Sequence, residues 1–143
     1  MLFGVWDGTL DEGERGKIRN RKYSNQIRDF SGMRFVNITP TDVDMLIEYK
    51  NICYVFGEFK YQNAALPFGQ RLALQRLCDD TKKPALAIIA SHNAGENEDI
   101  DVANTTVTEF RFNGAWHEMH KPTTTKELID RFLSWAEFGN DTR

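Results

Sequence analysis

The sequence predicts an α/β or α+β domain in which helices pack on a mixed β-sheet. Two runs rich in β-branched and aromatic residues, Asp42–Lys50 and Ile52–Tyr61, are followed by a helical pattern and then by a continuous apolar run, Pro84–Asn93. A strand that is apolar along its whole length is typical of a position buried on both faces, with a parallel or central neighbour. The helix between two such strands then forms a βαβ unit, for which a right-handed crossover is expected.

Length and composition fit a globular protein of one domain. The chain has 143 residues, of which 41% are apolar and 27% charged, so we expect residues 1–143 to form a single domain. Cys53 and Cys78 lie in apolar segments without metal-knuckle spacing, which predicts buried thiols of a reducing compartment. No apolar stretch reaches the ~20 residues that span a bilayer, and no signal-peptide pattern is seen. We therefore expect a cytoplasmic protein without a membrane partner.

The first half of the chain is predicted to form a helix and three strands. Apolar residues spaced three and four apart predict a helix over Lys17–Phe30, ended by Gly32. Met33–Thr39 alternates well enough for a short strand. The two β-rich runs named above are separated by a turn at Lys50 and Asn51, which predicts a hairpin.

The second half is predicted to contain two helices, the buried strand and a further hairpin. Leu66–Lys83 predicts a helix with an inward stripe of Gln70, Ala73, Leu74, Leu77 and Cys78 and with Arg71, Gln75 and Arg76 facing out. Thr105–Met119 predicts a hairpin that turns at Asn113 and Gly114. A capping box of Thr124 and Glu127 predicts the start of a last helix, which Gly139 closes.

Charged side chains lie at the ends of the two β-rich runs. Asp44 precedes the apolar part of the first run, and Glu58 and Lys60 lie near the end of the second. Carboxylates are costly to bury in a sheet covered by helices unless they acquire a partner or a metal. This set suits Mg²⁺ or Mn²⁺, with a lysine that positions the attacking water or neutralises developing charge. The competing interpretation places Glu58 and Lys60 on an exposed edge strand.

The hairpin register decides whether these side chains can meet. If the numbers of facing residues add up to 102, Asp44 stands opposite Glu58 and both carboxylates share one face. If a two-residue loop makes the sum 101, Asp44 faces Gly57 and Glu58 points to the other side. A metal site therefore predicts a loop longer than two residues, or a bulge.

The segments "TDVD" (Thr41–Asp44) and "EFK" (Glu58–Lys60), thirteen residues apart, resemble the signature of the PD-(D/E)XK nuclease superfamily. The resemblance covers about Lys17–Asn93 and implies a restriction endonuclease-like αβββαβ core with a mixed sheet flanked by helices. It implies a metal-dependent endonuclease or exonuclease, with DNA as substrate and Mg²⁺ or Mn²⁺ as cofactor. The site residues that it implies are Asp44 and Glu58 as metal ligands, Lys60 as the catalytic lysine, and Gln70 beside the site. Independently of the resemblance, the position of Phe59 between Glu58 and Lys60 predicts its carbonyl as a further oxygen ligand.

Two features depart from the family pattern. Many members place a glutamate on the first helix, whereas this chain has no acid between Arg15 and Arg28. Asp42 lies on the same predicted strand face as Asp44 and is the alternative ligand. The missing acid favours an alternative function: a catalytically inactive module on the same fold that binds nucleic acid or a protein partner, or inhibits it.

The segment from Arg15 to Arg28 carries six basic residues and no acid. Such a basic arm on an acidic protein predicts contacts with DNA phosphates, and a solvated helix face is the competing interpretation. No residue distinguishes DNA from RNA by sequence alone. Symmetric cutting of branched DNA would require a homodimer. The residues expected to bind nucleic acid are Lys17, Arg19, Arg21, Lys22 and Arg28.

Overall fold

A computed structural model of the chain describes residues 16–18 and 25–139. Contacts divide the chain into two compact units, Met1–Pro40 and Thr41–Arg143. The second unit contains all the strands and both α-helices of the described residues. The expectation of a single domain over residues 1–143 stays a prediction.

The first unit differs from its sequence-based prediction. Ser31–Met33 is a 3₁₀-helix, and Phe35 and Ile38 exchange two backbone hydrogen bonds of 2.7 and 2.9 Å. The chain reverses between them, with Val36 at a φ of 61°, so the predicted strand Met33–Thr39 is wrong. The predicted helix Lys17–Phe30 is not helical at residues 17–18 and 25–30, and residues 19–24 lie outside the described part. Side-chain alternation alone does not make a strand without a partner to complete its ladder.

The second unit is built on a five-stranded mixed sheet whose strands lie side by side in chain order. β2 and β3 are parallel, and the other neighbouring pairs are antiparallel. The predicted α+β class and the predicted parallel partner of the buried strand are therefore confirmed. The strands are β1 (Met45–Tyr49), β2 (Cys53–Tyr61), β3 (Ala85–His92), β4 (Thr106–Phe112) and β5 (Ala115–Glu118).

Two helices complete the second unit. Helix α1 (Phe68–Asp80) connects the parallel strands β2 and β3. Helix α2 (Thr125–Ser134) begins with the predicted capping box of Thr124 and Glu127 and continues into a π-helical turn, Trp135–Gly139. Because successive strand residues point to opposite faces, the sheet buries two separate apolar clusters. One contains Phe56, Ala87 and Ile89 with Leu74 and Cys78 of α1, and the other contains Val55 and Ile88 with Leu128, Ile129 and Phe132 of α2.

The buried face of α1 is rotated from the predicted one. Leu77, predicted to face inward, is 44% exposed. Arg71 and Gln75, predicted to face out, reach the far strands of the sheet: Arg71 pairs with Glu109 and lies over the Trp116 ring at 4.3 Å. The Trp116 indole N–H donates to Gln75 Oε1 at 3.1 Å. Polar contacts with β4 and β5 therefore set the orientation of the helix together with its apolar stripe.

The two hairpins have different loops. Asn113 and Gly114, with φ of 52° and 77°, form the predicted two-residue turn between β4 and β5. The loop between β1 and β2 has three residues, 50–52, because Tyr49 pairs with Cys53. Every pair in this hairpin, from Tyr49 with Cys53 to Met45 with Gly57, has numbers that add up to 102. This is the register in which Asp44 comes next to Glu58.

Cys53 and Cys78 are both free and buried, as predicted. Neither helix of the described residues has the length and apolar character that crossing a bilayer requires.

Candidate metal centre

Glu58 and Lys60 lie on an interior strand of the sheet. They belong to β2, which has β1 on one side and β3 on the other. Both share a face with Phe56, which packs against α1. The interpretation of Glu58 and Lys60 as charges on an exposed edge strand is therefore wrong. Glu58 is only 3% exposed, so its carboxylate needs a partner.

Asp44 lies at a bend directly before β1 and is held against β2. The backbone N–H of Phe59 donates to Asp44 Oδ2 at 2.9 Å. This side-chain contact continues the hairpin one step beyond its last paired residues, Met45 and Gly57. Asp44 is therefore fixed beside the residue that separates Glu58 from Lys60.

Three carboxylates converge at this point. One oxygen each from Asp42, Asp44 and Glu58 lies within 4.8 Å of the others, with the two aspartates exposed and the glutamate buried. Asp42 therefore joins Asp44 in the cluster, although the sequence favoured only Asp44 as ligand. Hard oxygen donors, one buried and two open to solvent, fit Mg²⁺ or Mn²⁺, which keep several of their own waters.

The cluster carries an electrostatic conflict that a cation would relieve. Burial, the negative charge of Asp44 and a hydrogen bond with Asp44 raise the pKa of Glu58 to about 7. The ammonium of Lys60 acts in the opposite direction on the same pKa. Burial and Asp44 thus disfavour the ionised form of Glu58. A cation bound between the carboxylates would reduce their repulsion and stabilise ionised Glu58.

The direction of the β2 backbone places the Phe59 carbonyl at the same edge. The N–H groups of Tyr54 and Gln62 donate to Pro84 and His92 on the β3 side. Strand geometry then directs the N–H and C=O of the odd-numbered residues to the β1 side, where the Phe59 N–H meets Asp44. The structure thus brings Phe59, Asp44 and Glu58 together as the sequence predicted.

Lys60 and Gln70 lie beside the carboxylates. Lys60 Nζ is 3.9 Å from Glu58 Oε2 and donates to Gln70 Oε1 at 3.3 Å. The Lys60 side chain is 25% exposed, so part of it is accessible to solvent. Gln70 lies in the first turn of α1, and the predicted proximity of this helix to the site is observed.

The predicted basic arm belongs to the first unit. Lys17 and Arg28 are exposed, and Arg19, Arg21 and Lys22 lie outside the described residues. Phosphate binding by these five residues stays a prediction.

Sequence reasoning missed one contact next to this centre. His92 ends β3 and packs edge to face against Tyr61, with ring centroids 5.8 Å apart. The sequence signal for this contact is Tyr61, the aromatic residue that directly follows Glu58–Lys60. Within residues 16–18 and 25–139, no other group of three or more ligating side chains converges as the carboxylate cluster does.

Comparisons with protein families, with curated proteins and with solved structures found no match for this chain. A functional proposal therefore rests on the geometry of the site.

Proposed function

We propose that this chain is a divalent-cation-dependent nuclease of the PD-(D/E)XK type, which hydrolyses phosphodiester bonds in DNA. One observation carries the proposal: carboxylate oxygens of Asp42, Asp44 and Glu58 lie within 4.8 Å of one another beside the Lys60 ammonium. An acidic cluster next to a partly exposed lysine suits a reaction in which negative charge develops on a phosphate.

The carboxylates would hold Mg²⁺ or Mn²⁺, with the Phe59 carbonyl as a further oxygen ligand. When bound, such a cation supplies Lewis-acid polarisation of a phosphate and lowers the pKa of water. The Phe59 N–H engages one oxygen of Asp44 and so leaves the other oxygen for the cation. Glu58 is fixed by its burial, whereas Asp42 approaches from the solvent side.

Lys60 would act on the phosphate and on the attacking water. Its ammonium lies between Glu58 and Gln70, which restrict where its three N–H donors can point. A cation held in this way stabilises charge that develops in the transition state without having to reorganise. Gln70 is then a positioning residue, because it acts through Lys60.

The order of elements is compatible with a restriction endonuclease-like core. The hairpin β1–β2, the crossover helix α1 and the parallel strand β3 correspond to the last four elements of the αβββαβ order. The structure gives no strand in residues 25–40, so the first strand of that order has no counterpart among the described residues. Cleavage of branched DNA by this chain would further require a homodimer.

Cleavage assays test the proposal. The purified chain is incubated with supercoiled, linear, branched and single-stranded DNA and with RNA, in Mg²⁺, in Mn²⁺ and in EDTA. Lys60→Ala and Glu58→Gln are compared with Lys126→Ala, which removes an exposed lysine of α2. We expect metal-dependent cleavage that the first two substitutions abolish and the third leaves intact.

Cleavage in EDTA, or cleavage that survives Lys60→Ala, would contradict the proposed mechanism. Binding of nucleic acid without cleavage under any condition would instead support the inactive module. Binding that weakens steeply as salt rises would indicate phosphate contacts by the basic arm.

A further inference from the structure

The end of β2 presents an exposed aromatic ring directly after the catalytic lysine candidate. Tyr61 is 49% exposed, and its side chain points to the opposite face from Lys60 because strand residues alternate. The Tyr61 hydroxyl accepts a hydrogen bond of 3.1 Å from Gln62 Nε2. The ring meets His92 edge to face, with an interplanar angle of 70°. Tyr61 is thus held in place while much of its surface stays open.

His92 is itself fixed by the surrounding backbone. Its Nδ1 accepts from the N–H of Ala94 at 3.1 Å, and its carbonyl accepts from the N–H of Gln62 at 2.8 Å. These bonds join the loops that follow β2 and β3, and they hold the imidazole against Tyr61. An aromatic ring that is ordered before binding loses little conformational entropy when a ligand stacks on it.

The backbone of Tyr61 offers a donor on the side of the carboxylates. Its N–H points to the β1 edge, like that of Phe59 two residues earlier, but the β1–β2 ladder ends at Gly57. No group of the described residues accepts a hydrogen bond from the Tyr61 N–H, whereas its carbonyl accepts from Ala64 at 2.9 Å. An open N–H beside a cation site is suited to a phosphate oxygen.

We propose that Tyr61 forms a nucleotide subsite next to the carboxylate cluster and that the substrate has an unpaired base there. The N–H would bind a phosphate oxygen adjoining the scissile bond, and the ring would stack on the exposed base. A base inside a duplex has neighbours on both faces, so the ring selects single-stranded, flapped or branched nucleic acid. This inference rests on the proposed nuclease function and names its substrate class.

Binding measurements test the subsite separately from cleavage. Full-length protein carrying Lys60→Ala is titrated, in Mg²⁺, into a single-stranded DNA oligonucleotide that contains 2-aminopurine and into the matching duplex. In that background we compare Tyr61→Leu and Tyr61→Phe with Phe138→Leu, which alters another exposed ring on the π-helical turn. Circular dichroism checks that each variant is folded.

Tyr61→Leu should weaken single-strand binding by about 5- to 150-fold, the usual effect of losing one aromatic stack. It should change duplex binding by less than about twofold, since a paired base does not reach the ring. Tyr61→Phe and Phe138→Leu should bind the single strand as the background protein does. Single-strand binding unchanged by Tyr61→Leu, or equal losses on both substrates, would overturn the subsite.

The two proposals fail in different ways. If the wild-type chain cleaves duplex and single strand equally well and Tyr61→Leu changes neither, the subsite is wrong and the nuclease assignment stands. If the chain cleaves nothing but Tyr61→Leu still reduces single-strand binding, the subsite stands and the nuclease assignment is wrong.

Discussion

The backbone N–H of Phe59 donates a hydrogen bond of 2.9 Å to Asp44 Oδ2, which fixes the carboxylate of one strand end to the backbone of the next strand. Asparagine at position 44 would retain an oxygen acceptor for this N–H, whereas alanine would not. The two substitutions therefore separate the charge of Asp44 from its structural contact.

Metal binding should stabilise the folded chain. With Mg²⁺ or Mn²⁺ at 100 times the dissociation constant, we expect about 2.7 kcal/mol of added stability, measured as a rise in Tm. Asp44→Asn should abolish most of this rise without lowering the metal-free Tm, because the acceptor for Phe59 is kept and the repulsion of Glu58 is removed. Asp44→Ala should lower the metal-free Tm as well. An equal metal-dependent rise in wild type and Asp44→Asn would show that Asp44 is not a ligand.

Stability without metal should fall as pH rises through the titration of Glu58. The pKa of this carboxyl is raised from 4.5 in the unfolded chain to about 7 in the folded one, so the folded state binds more protons between these values. The contribution of protonated Glu58 is therefore complete below about pH 4.5 and is lost as pH rises through about 7, on the order of 3 kcal/mol.

Urea denaturation at several pH values checks this dependence. Glu58→Gln should flatten the fall in unfolding free energy over this range, since the amide does not titrate. Glu48→Gln, on the same hairpin and at an exposed position, serves as the control and should retain the fall. A wild-type protein whose stability rises with pH here would contradict the sign.

Under the proposed nuclease function, Gln70 should affect catalysis through Lys60. Gln70→Ala removes the acceptor at 3.3 Å from Lys60 Nζ, so the ammonium loses one of the groups that orient it. We expect kcat to fall by about 10- to 100-fold, the cost of one hydrogen bond to a charged group, with KM little changed. Gln75→Ala, which removes a bond to Trp116 on the same helix, should leave kcat near the wild-type value. The reverse pattern would assign the effect to helix packing.

The ion pair of Asp79 and Arg111 should contribute to stability. Arg111 is 8% exposed, and its guanidinium donates to both Asp79 oxygens, at 2.8 and 2.7 Å. Asp79→Asn should cost about 1–2 kcal/mol of unfolding free energy, reduced from the value for a fully buried pair because Asp79 is partly exposed. Asp130→Asn breaks the exposed pair with Lys126 and should cost less than about 0.5 kcal/mol. Equal losses in chemical denaturation would contradict this difference.

Much of the second unit was predictable because its signals are local. Asn113 and Gly114 tolerate the positive φ angles of a two-residue hairpin turn, so this pair predicts the turn between β4 and β5. The capping box of Thr124 and Glu127 predicts the start of α2. The apolar run of β3 indicated burial on both faces and a parallel neighbour; six consecutive buried residues and the parallel pairing with β2 confirm both. The meeting of Asp44 and Glu58 was predictable because β1 and β2 follow each other in the chain, so the length of one loop sets their register.

The features that were not predictable depend on contacts between distant parts of the chain. The orientation of α1 follows from Arg71 meeting Glu109 and Trp116, which lie more than thirty residues further along the chain. Asp42 and Asp44 are two residues apart and alike in chemistry, and only the folded hairpin shows that both reach Glu58. The strand predicted at Met33–Thr39 is wrong because no strand of residues 25–139 pairs with it.

The register of the β1–β2 hairpin has a consequence for how the site would evolve. The pairing that aligns Asp44 with Glu58 is the same pairing that turns Met45, Ile47 and Tyr49 toward the core beneath α2. A slipped hairpin would expose these three side chains, so selection for a stable protein alone preserves the alignment. Related proteins that no longer bind a cation at this site are therefore expected to replace the acidic residues and to keep the β1–β2 hairpin in the same register.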